Sequence, residues 1–292
     1  MVIKAFLDYL LYERNYSERT IAIYGTNVMQ FRQFVREKSA SDITEIKPET
    51  IREWIFFLMD KGYSSTSVNS KLSSLRSFYK YLLKQGIVTV TPVGKIVGPK
   101  NKKPLPVFLK ESEMDKVLDD IDFGEGYIGC RDRLIIEMFY NTGIRLSELI
   151  GLDDSSIDTS TSSIKVTGKR NKQRLIPFGE ELKCELLCYI SIRDKTIPIK
   201  SEAFFVRKDG KRLSKRIVGY VVRKHLSKVV TLKKRSPHVL RHTFATAMLN
   251  NESELGAIKE LLGHKSLATT EIYTHTTFKE LKKVYKQAHP RN

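Results

Sequence analysis

The stretch SPHVLRHTFATAML, residues 236–249, combines a helical apolar stripe with a cluster of cations. Pro237 suits the first turn of a helix, and apolar residues then recur at helical spacing. They are Val239, Leu240, Phe244, Ala247 and Met248. His238, Arg241 and His242 are three and four residues apart, so they share one flank of the predicted helix. Because like charges repel one another, this flank predicts a negatively charged partner.

The composition favours a folded protein that binds a polyanion. The 292 residues suffice for two domains, and a content of 41% hydrophobic and 10% aromatic residues is enough to form a core. Lys and Arg number 51 against 33 Asp and Glu, which gives a formal net charge of +18. Such a charge in a folded chain indicates a nucleic acid or an anionic membrane surface as partner. On charge alone, a basic ribosomal or storage-type protein is an open alternative.

The sequence shows no sign of a secreted or membrane protein. Charges interrupt its apolar stretches before about 18 residues, the length that a membrane span needs. Residues 1–20 carry Asp8 and Glu13 within an amphipathic helical pattern, and no small-residue cleavage site follows. An odd set of cysteines fits a reducing compartment, and we interpret Cys130, Cys184 and Cys188 as packing residues. We therefore expect a cytoplasmic protein that does not bind a membrane.

The sequence pattern predicts a mainly α protein of two domains. Residues 1–90 have the start signals and apolar spacing of a helical domain, with helices at about 2–14, 17–38, 48–61 and 64–85. We expect Lys71, Arg76, Lys80 and Lys84 on exposed faces of the last of these helices. Residues 91–108, rich in proline and lysine, predict an extended basic linker.

Residues 109–292 predict an α+β domain that is mainly helical. A β-hairpin at 162–179 is indicated by apolar and polar residues that alternate on either side of a basic, glycine-containing turn. EAFFV, residues 202–206, predicts a short strand. Helical patterns fill most of the rest, and the last ones fall at about 253–262, 267–275 and 278–287.

Several common catalytic motifs are absent from the sequence. It contains no GxxxxGK[ST] loop and no GxGxxG after a strand, and its acidic residues do not cluster as a two-metal nuclease requires. His238 and His242 lack the glutamate of the HExxH zinc helix, and Arg241 would place a cation beside the metal. The sequence therefore favours chemistry that uses no metal and no other cofactor.

A set of cations and polar donors remains, and each member also has an ordinary structural role. Arg145 could form a salt bridge with Glu148, and Lys169 could be a solvated residue of the hairpin turn. His264, in LLGHKS, could cap a helix, and Tyr273, in TTEIYTH, could be a packing residue. The full candidate set is Arg145, Lys169, His238, Arg241, His264 and Tyr273.

Phosphoryl transfer on DNA gives this set one common purpose. Paired arginines can hold the two non-bridging oxygens of a phosphodiester by charge-assisted hydrogen bonds. Histidines can donate hydrogen bonds or move a proton, and a lysine on a hairpin can protonate the departing 5′-oxygen. A tyrosine can attack the phosphorus and keep the bond energy as phosphotyrosine, if nearby cations favour the phenolate.

Five stretches resemble the tyrosine recombinases of the phage integrase family, and most closely the Xer branch. They are TGIRLSEL, TGKRNKQRLIP, HVLRHTFATAML, LLGHKSLATTEIYTH and FKELKKVYKQAHP, and the likeness covers nearly the whole chain. The resemblance implies that Arg145 and Arg241 clamp the phosphate. It also implies that Lys169 is the general acid and that Tyr273 is the nucleophile.

The histidines also match family positions. His238 takes the place of the first histidine, and His264 the place that is histidine or tryptophan in relatives. His242 is assigned a supporting role. Arg170 stands in the hairpin turn where Xer-like proteins often have glycine.

The resemblance further implies an architecture and a set of partners. A helical, SAM-like N-terminal domain and an α+β catalytic domain would close around duplex DNA as a C-shaped clamp. Four protomers, alike or of two different recombinases, would assemble on two DNA sites, and a septal DNA translocase is a further candidate partner. The terminal helix at about 278–287 would dock into a neighbouring subunit or pack in its own domain through Phe278, Leu281, Val284 and Tyr285.

The function implied is site-specific recombination through a 3′-phosphotyrosine intermediate and a Holliday junction. Kinship with the Xer branch indicates the resolution of chromosome dimers. An integrase or invertase of a mobile element is an alternative role. A DNA-binding protein without catalysis on the same fold is an alternative of another class, and the intact set of six candidates argues against it.

Overall fold

The computed structural model divides the chain into two compact units, Met1–Pro104 and Leu105–Asn292. It describes residues 2–38, 42–101, 107–168, 171–198, 201–230, 234–251, 255–263 and 275–291. None of the helices in these ranges combines the length and the hydropathy that a membrane span requires.

Helices make up the described part of the first unit. They are α1 (Val2–Tyr12), α2 (Glu18–Lys38), α3 (Pro48–Asp60) and α4 (Ser65–Lys84). Their ends lie within about two residues of the predicted ones because the start signals act locally. Ser64 Oγ accepts a hydrogen bond from the backbone N–H of Ser67 at 3.3 Å, and Pro48 occupies the first turn of α3.

Aromatic residues form much of the core of the first unit. The ring centroids of Phe31 and Trp54 are 4.9 Å apart, and both side chains are fully buried. Val93 and Ile96 are buried in the same core, and Arg76 Nη2 donates to the carbonyl of Ile96 at 2.8 Å. The beginning of segment 91–108 therefore packs on the first unit.

Lys71 is buried, contrary to the expectation that it lies on an exposed face of α4. Its ammonium group donates to Asn27 Oδ1 at 3.3 Å and to Gln30 Oε1, and it lies 5.0 Å from the centroid of the Tyr63 ring. Position 71 is three residues after Val68, so helical periodicity turns it towards the core. Neutral acceptors and an aromatic face make the burial of this charge tolerable.

The described part of the second unit is mainly helical and carries one small sheet, and the predicted fold class is confirmed. Its helices are α5 (Glu111–Asp115), α6 (Gly126–Thr142), α7 (Leu146–Ile150), α8 (Glu180–Thr196), α9 (Lys215–Leu226), α10 (Pro237–Asn250), α11 (Leu255–Leu262) and α12 (His275–Ala288). A π-helical turn, Lys116–Asp120, follows α5 directly.

The sheet contains the predicted hairpin and one strand more. Strands β1 (Ile157–Asp158), β2 (Ser163–Thr167) and β3 (Gln173–Pro177) are antiparallel in the order β1-β2-β3. In the hairpin, Ile164 pairs with Ile176 and Val166 pairs with Arg174. Arg174 is therefore on the face of β3 that carries the buried Ile176.

The prediction of a strand at residues 202–206 is wrong. The segment makes only isolated bridges to its neighbours, at Ala203 and Val206. Backbone N–H groups of Asp154 and Leu213 donate to the carbonyls of Glu202 and Phe205, and side chains donate to two others. The phenol of Tyr189 donates to the carbonyl of Phe204 at 3.0 Å, and the phenol of Tyr127 donates to that of Val206 at 2.7 Å.

The interpretation of the cysteines as packing residues is also wrong in part. Cys184 and Cys188 are exposed on α8, and Cys130 is half-buried. Helix α8 turns Leu182, Leu186 and Tyr189 inwards, so residues between them point to solvent.

Helices α10, α11 and α12 enclose a separate small core. Its members are Phe244, Met248, Ile258, Leu261, Leu262, Leu281, Tyr285 and Ala288. Leu281 and Tyr285, two residues of the apolar face predicted for the terminal helix, are buried here. In this structure the terminal helix packs within its own unit, the second of the two arrangements expected for it.

Candidate active site

Arg145 is positioned by a tight turn between α6 and α7. Helix α6 ends at Gly143, which has a left-handed φ of +56°. A Cβ atom at Gly143 would lie 2.4 Å from Phe244 Cδ1 and 2.9 Å from Leu262 Cδ2, so only glycine fits. Two residues later, Arg145 is the N-cap of α7.

The carboxylate of Glu148 connects Arg145 to a second arginine. It accepts a hydrogen bond from the backbone N–H of Arg145 at 2.9 Å and one from Arg145 Nη1 at 2.7 Å. The salt bridge considered as an ordinary role of Arg145 is therefore present. Arg174 donates to both carboxylate oxygens, Nη1 at 2.7 Å and Nη2 at 3.0 Å.

Glu148 remains ionised although it is buried. Burial by itself would raise the pKa of its carboxyl group. The hydrogen bonds and positive charge of Arg174, with the N–H groups of Arg145, outweigh burial and lower this pKa to about 2.

Sequence reasoning missed Arg174. Only 7% of this residue is exposed, and its Nε donates to the carbonyl of Leu261 at 2.9 Å. The signal was available in the hairpin, because a residue two positions from Ile176 must share its inward face. A charged residue at such a position requires a buried partner.

Arg241 points from α10 into the same region. Its Nη1 donates to the carbonyl of Gly143, and its Nη2 donates to the carbonyl of Leu262 at 2.6 Å. Burial is the main cause that lowers the pKa of this guanidinium to about 10. The charges of Arg145 and Arg174 lower it further, and Glu148 opposes them.

His238 and His242, on the same helix, are both exposed. Arg241, in contrast, is only 9% exposed. The three residues predicted to share one flank therefore differ: Arg241 points inwards and the two imidazoles point to solvent. The described structure thus brings Arg145 and Arg241 together and leaves the histidine rings at the surface of α10.

Lys169, His264 and Tyr273 lie outside the described residues. For Lys169 and His264, the preceding residue is described and lies beside the arginine cluster. A Cβ atom at Gly168 would lie 3.4 Å from Glu148 Oε1, and the carbonyl of Gly263 accepts from Arg145 Nη2 at 2.9 Å. Lys169 follows Gly168 directly in the sequence, and His264 follows Gly263.

The charges of the cluster suit an anion. Arg145 and Arg174 donate to the carboxylate of Glu148, and Arg241 lies near enough for the charge of Glu148 to affect its pKa. Positive charge therefore exceeds negative charge among these four side chains. In the part of the chain that the structure describes, no three His, Cys, Asp or Glu side chains form a possible metal site.

The chain is similar to known proteins over nearly its whole length. Residues 107–280 match the phage integrase family, and residues 3–86 match the N-terminal SAM-like domain of phage integrases. The chain is 38% identical to the tyrosine recombinase XerC of Listeria innocua over 291 residues, which covers 99% of this chain and 97% of that protein. It is 35% identical to the tyrosine recombinase XerC of Chlorobaculum parvum over 315 residues, 99% of this chain and 94% of that one.

A solved structure shows the same fold. The site-specific recombinase XerH, in a post-cleavage complex with a palindromic difH substrate, superimposes with a TM-score of 0.75 and a sequence identity of 23%. The superposition covers 92% of this chain and 80% of XerH. With two domain matches in the order of the family and relatives similar over almost their whole length, the chain belongs to the Xer branch of the tyrosine recombinases, in the phage integrase family.

Proposed function

We propose that this recombinase binds the scissile phosphate of a specific DNA site between Arg145 and Arg241. One observation carries the proposal: the two guanidinium groups donate to adjacent carbonyls, those of Gly263 at 2.9 Å and Leu262 at 2.6 Å. Because neighbouring peptide groups hold them, the two guanidiniums lie close to each other. Each can donate to a non-bridging oxygen and stabilise the charge that these oxygens carry in the transition state.

The proposed reaction exchanges one phosphate ester for another. The phenol oxygen of Tyr273 attacks the phosphorus, the bond between phosphorus and the 5′-oxygen breaks, and a 3′-phosphotyrosine forms. The 5′-oxygen leaves as a hydroxyl group by taking a proton from Lys169, and the phenol proton passes to a histidine or to solvent. Because the new ester conserves the bond energy, a 5′-hydroxyl of the partner strand can reverse the step without a cofactor.

The excess of positive charge serves the nucleophile as well as the phosphate. A free tyrosine has a pKa of about 10, so its neutral phenol is a weak nucleophile near neutral pH. Nearby guanidinium groups favour the phenolate. We therefore propose that Tyr273 is activated as it approaches Arg145 and Arg241, with His238 and His264 as further donors to the phosphate.

The proposed partner is duplex DNA that carries a recombination site, acted on in the cytoplasm. The relatives named XerC favour resolution of chromosome dimers over the alternative role as integrase or invertase of a mobile element. We propose a tetramer of this chain, alone or with a second recombinase, and a septal DNA translocase as a further candidate partner. Mapping of the covalently bound DNA in cells separates the roles: a site near the replication terminus supports the chromosomal one, and sites at element ends contradict it.

A nicked suicide substrate tests the chemistry. With the nick next to the scissile phosphate, the cleaved end diffuses away and the protein remains attached to DNA. We expect wild type to form this adduct and Tyr273→Phe to form none while binding the same DNA. The result also decides against a DNA-binding protein without catalysis.

Tyr285→Phe is the matched control. Tyr285 is fully buried in the small core of α10, α11 and α12, so it should not reach a phosphate. We expect Tyr285→Phe to form the adduct. Loss of the adduct in this variant together with its retention in Tyr273→Phe would show that the nucleophile is wrongly assigned.

A further inference from the structure

Arg174 is a buried cation that the proposed chemistry does not use. It lies in the middle of β3, opposite Val166 in the hairpin, and 7% of it is exposed. A charged group at an inward position of a strand costs several kcal/mol unless partners satisfy it, roughly in proportion to its loss of water. The burial of the Arg174 guanidinium therefore has to be explained by its partners.

The guanidinium of Arg174 joins three elements. Its Nη1 and Nη2 donate to the two oxygens of Glu148, in α7, and its Nε donates to the carbonyl of Leu261, near the end of α11. Only a planar guanidinium can bind a carboxylate with two parallel hydrogen bonds and still donate sideways to a carbonyl group. A lysine at this position would keep the charge and lose this geometry.

Three consecutive carbonyls at the end of α11 each accept from a different arginine. Leu261 accepts from Arg174 at 2.9 Å, Leu262 from Arg241 at 2.6 Å, and Gly263 from Arg145 at 2.9 Å. Carbonyls in the last turn of a helix lack partners within the helix. The backbone here sets the spacing of the three arginines, which come from β3, α10 and the N-cap of α7.

Glu148 ties the same arginines together from the other side. One oxygen, Oε1, accepts from both Arg145 Nη1 and Arg174 Nη1, each at 2.7 Å. Arg174 is thus linked to Arg145 through a carboxylate, and to Arg241 through two neighbouring peptide groups of α11. A change at Arg174 must shift Glu148 or the end of α11, and either shift moves an arginine assigned to the phosphate.

We infer that Arg174 is a positioning residue for DNA cleavage: by holding Glu148 and the carbonyl of Leu261, it fixes the spacing and direction of Arg145 and Arg241 at the phosphate. The inference rests on the function proposed above. Arg174 does not touch DNA in this scheme. Its contribution is alignment, and a misplacement of about 1 Å in a reacting group can cost on the order of a hundredfold in rate.

The test compares Arg174→Lys with Arg193→Lys in the full chain. Arg193 is an equally buried arginine of the same unit that also forms a forked ion pair, with Asp154 at 2.5 and 2.9 Å, and donates to the carbonyl of Phe204. These partners do not belong to the cluster around Glu148. Both substitutions lose one forked pair. Because Glu148 is buried and Asp154 is half exposed, we expect the larger decrease in the midpoint of thermal unfolding for Arg174→Lys, and cleavage is measured at a temperature at which both variants are folded.

Cleavage at saturating DNA separates the two variants. The rate of adduct formation on the nicked substrate is measured in a single turnover, and the Kd for uncleaved DNA is measured in parallel. We expect Arg174→Lys to cleave at least about thirtyfold more slowly than wild type and to bind uncleaved DNA with a Kd within about threefold of the wild-type value. A residue that acts by alignment has this effect, because it changes the rate of cleavage and not the binding of DNA. We expect Arg193→Lys to retain the wild-type cleavage rate.

Each other outcome overturns a specific statement. Wild-type cleavage by Arg174→Lys, or an equal loss in both variants, reduces Arg174 to a structural residue. If weaker DNA binding accounts for the whole decrease in the cleavage rate of Arg174→Lys, Arg174 is a DNA-binding residue. If wild type forms no adduct, or if Tyr273→Phe still forms it, the proposed function itself is wrong. This result differs from those that overturn only the role of Arg174, so the two failures are distinguishable.

Discussion

Tyr285 and His289 stack face to face at the end of α12, with ring centroids 5.1 Å apart and 13° between the ring planes. The imidazole is 4% exposed, with Nε2 placed 3.2 Å from the carbonyl of Tyr140 and Nδ1 accepting from the backbone N–H of Arg291 at 3.2 Å. Burial is the main cause that lowers the pKa of His289 to about 4.

The stability of the second unit should therefore fall as the pH decreases from about 6.5 to about 4. In this window the unfolded imidazole takes up a proton and the folded one does not, so protons favour unfolding. A pKa lowered to about 4 corresponds to a loss on the order of 3 kcal/mol across the window. Chemical unfolding of wild type and His289→Gln at a series of pH values measures it, and we expect the flatter curve for the variant. Parallel curves would contradict the prediction.

Gly143→Ala should destabilise the chain by roughly 2–4 kcal/mol, because the left-handed φ of +56° and a contact of 2.4 Å with Phe244 Cδ1 both oppose a side chain. Gly256→Ala in α11 is the matched control. A Cβ atom there meets nothing within 4 Å, so we expect a gain of about 0.5–1 kcal/mol from helix propensity. Chemical unfolding measures both, and equal effects would show that the turn at Gly143 tolerates a side chain.

Arg241→Ala should slow DNA cleavage by about 100- to 1000-fold, by analogy with the loss of one donor to a charged transition state. The affinity for DNA should change much less, since the net charge of +18 leaves many other cations to bind the DNA backbone. Single-turnover cleavage and a Kd measured with the same DNA separate the two effects. A cleavage rate within about threefold of wild type would contradict the assignment of Arg241 to the phosphate.

DNA binding should weaken steeply with salt. With a net charge of +18, the chain is expected to neutralise many phosphates and release their counterions. We expect the Kd to rise by about a thousandfold or more between roughly 50 and 200 mM salt. Titration of a fluorescent duplex at several salt concentrations measures the slope, and a flat response would remove the electrostatic basis of binding.

Chelation of metal ions should leave cleavage unchanged, because arginines and a lysine supply the charge and the proton that the proposed reaction needs. Adduct formation is compared before and after dialysis against EDTA. A loss of activity that a divalent ion restores would contradict the scheme.

Local signals determined much of the fold. Proline and serine at helix starts, glycine at helix ends and an alternating hairpin act within a few residues, so helices α1 to α4 and the hairpin strands lie close to their predicted positions. The segment 202–206 shows the limit of such signals. Its composition is strand-like, but its backbone makes only isolated bridges, and the phenols of Tyr127 and Tyr189 take the carbonyls of Val206 and Phe204.

The sequence by itself marked Arg145 and Arg241 through the short motifs around them, and its charge indicated an anionic partner. It also suggested the salt bridge between Arg145 and Glu148, which are only three residues apart. It did not show that Arg174 and the end of α11 would hold this group and Arg241, because those contacts join residues far apart along the chain. Only the packing of α7, β3, α10 and α11 decided them. Buried charges and helix-end carbonyls must find partners wherever the fold brings them, and no local pattern records which partners those are.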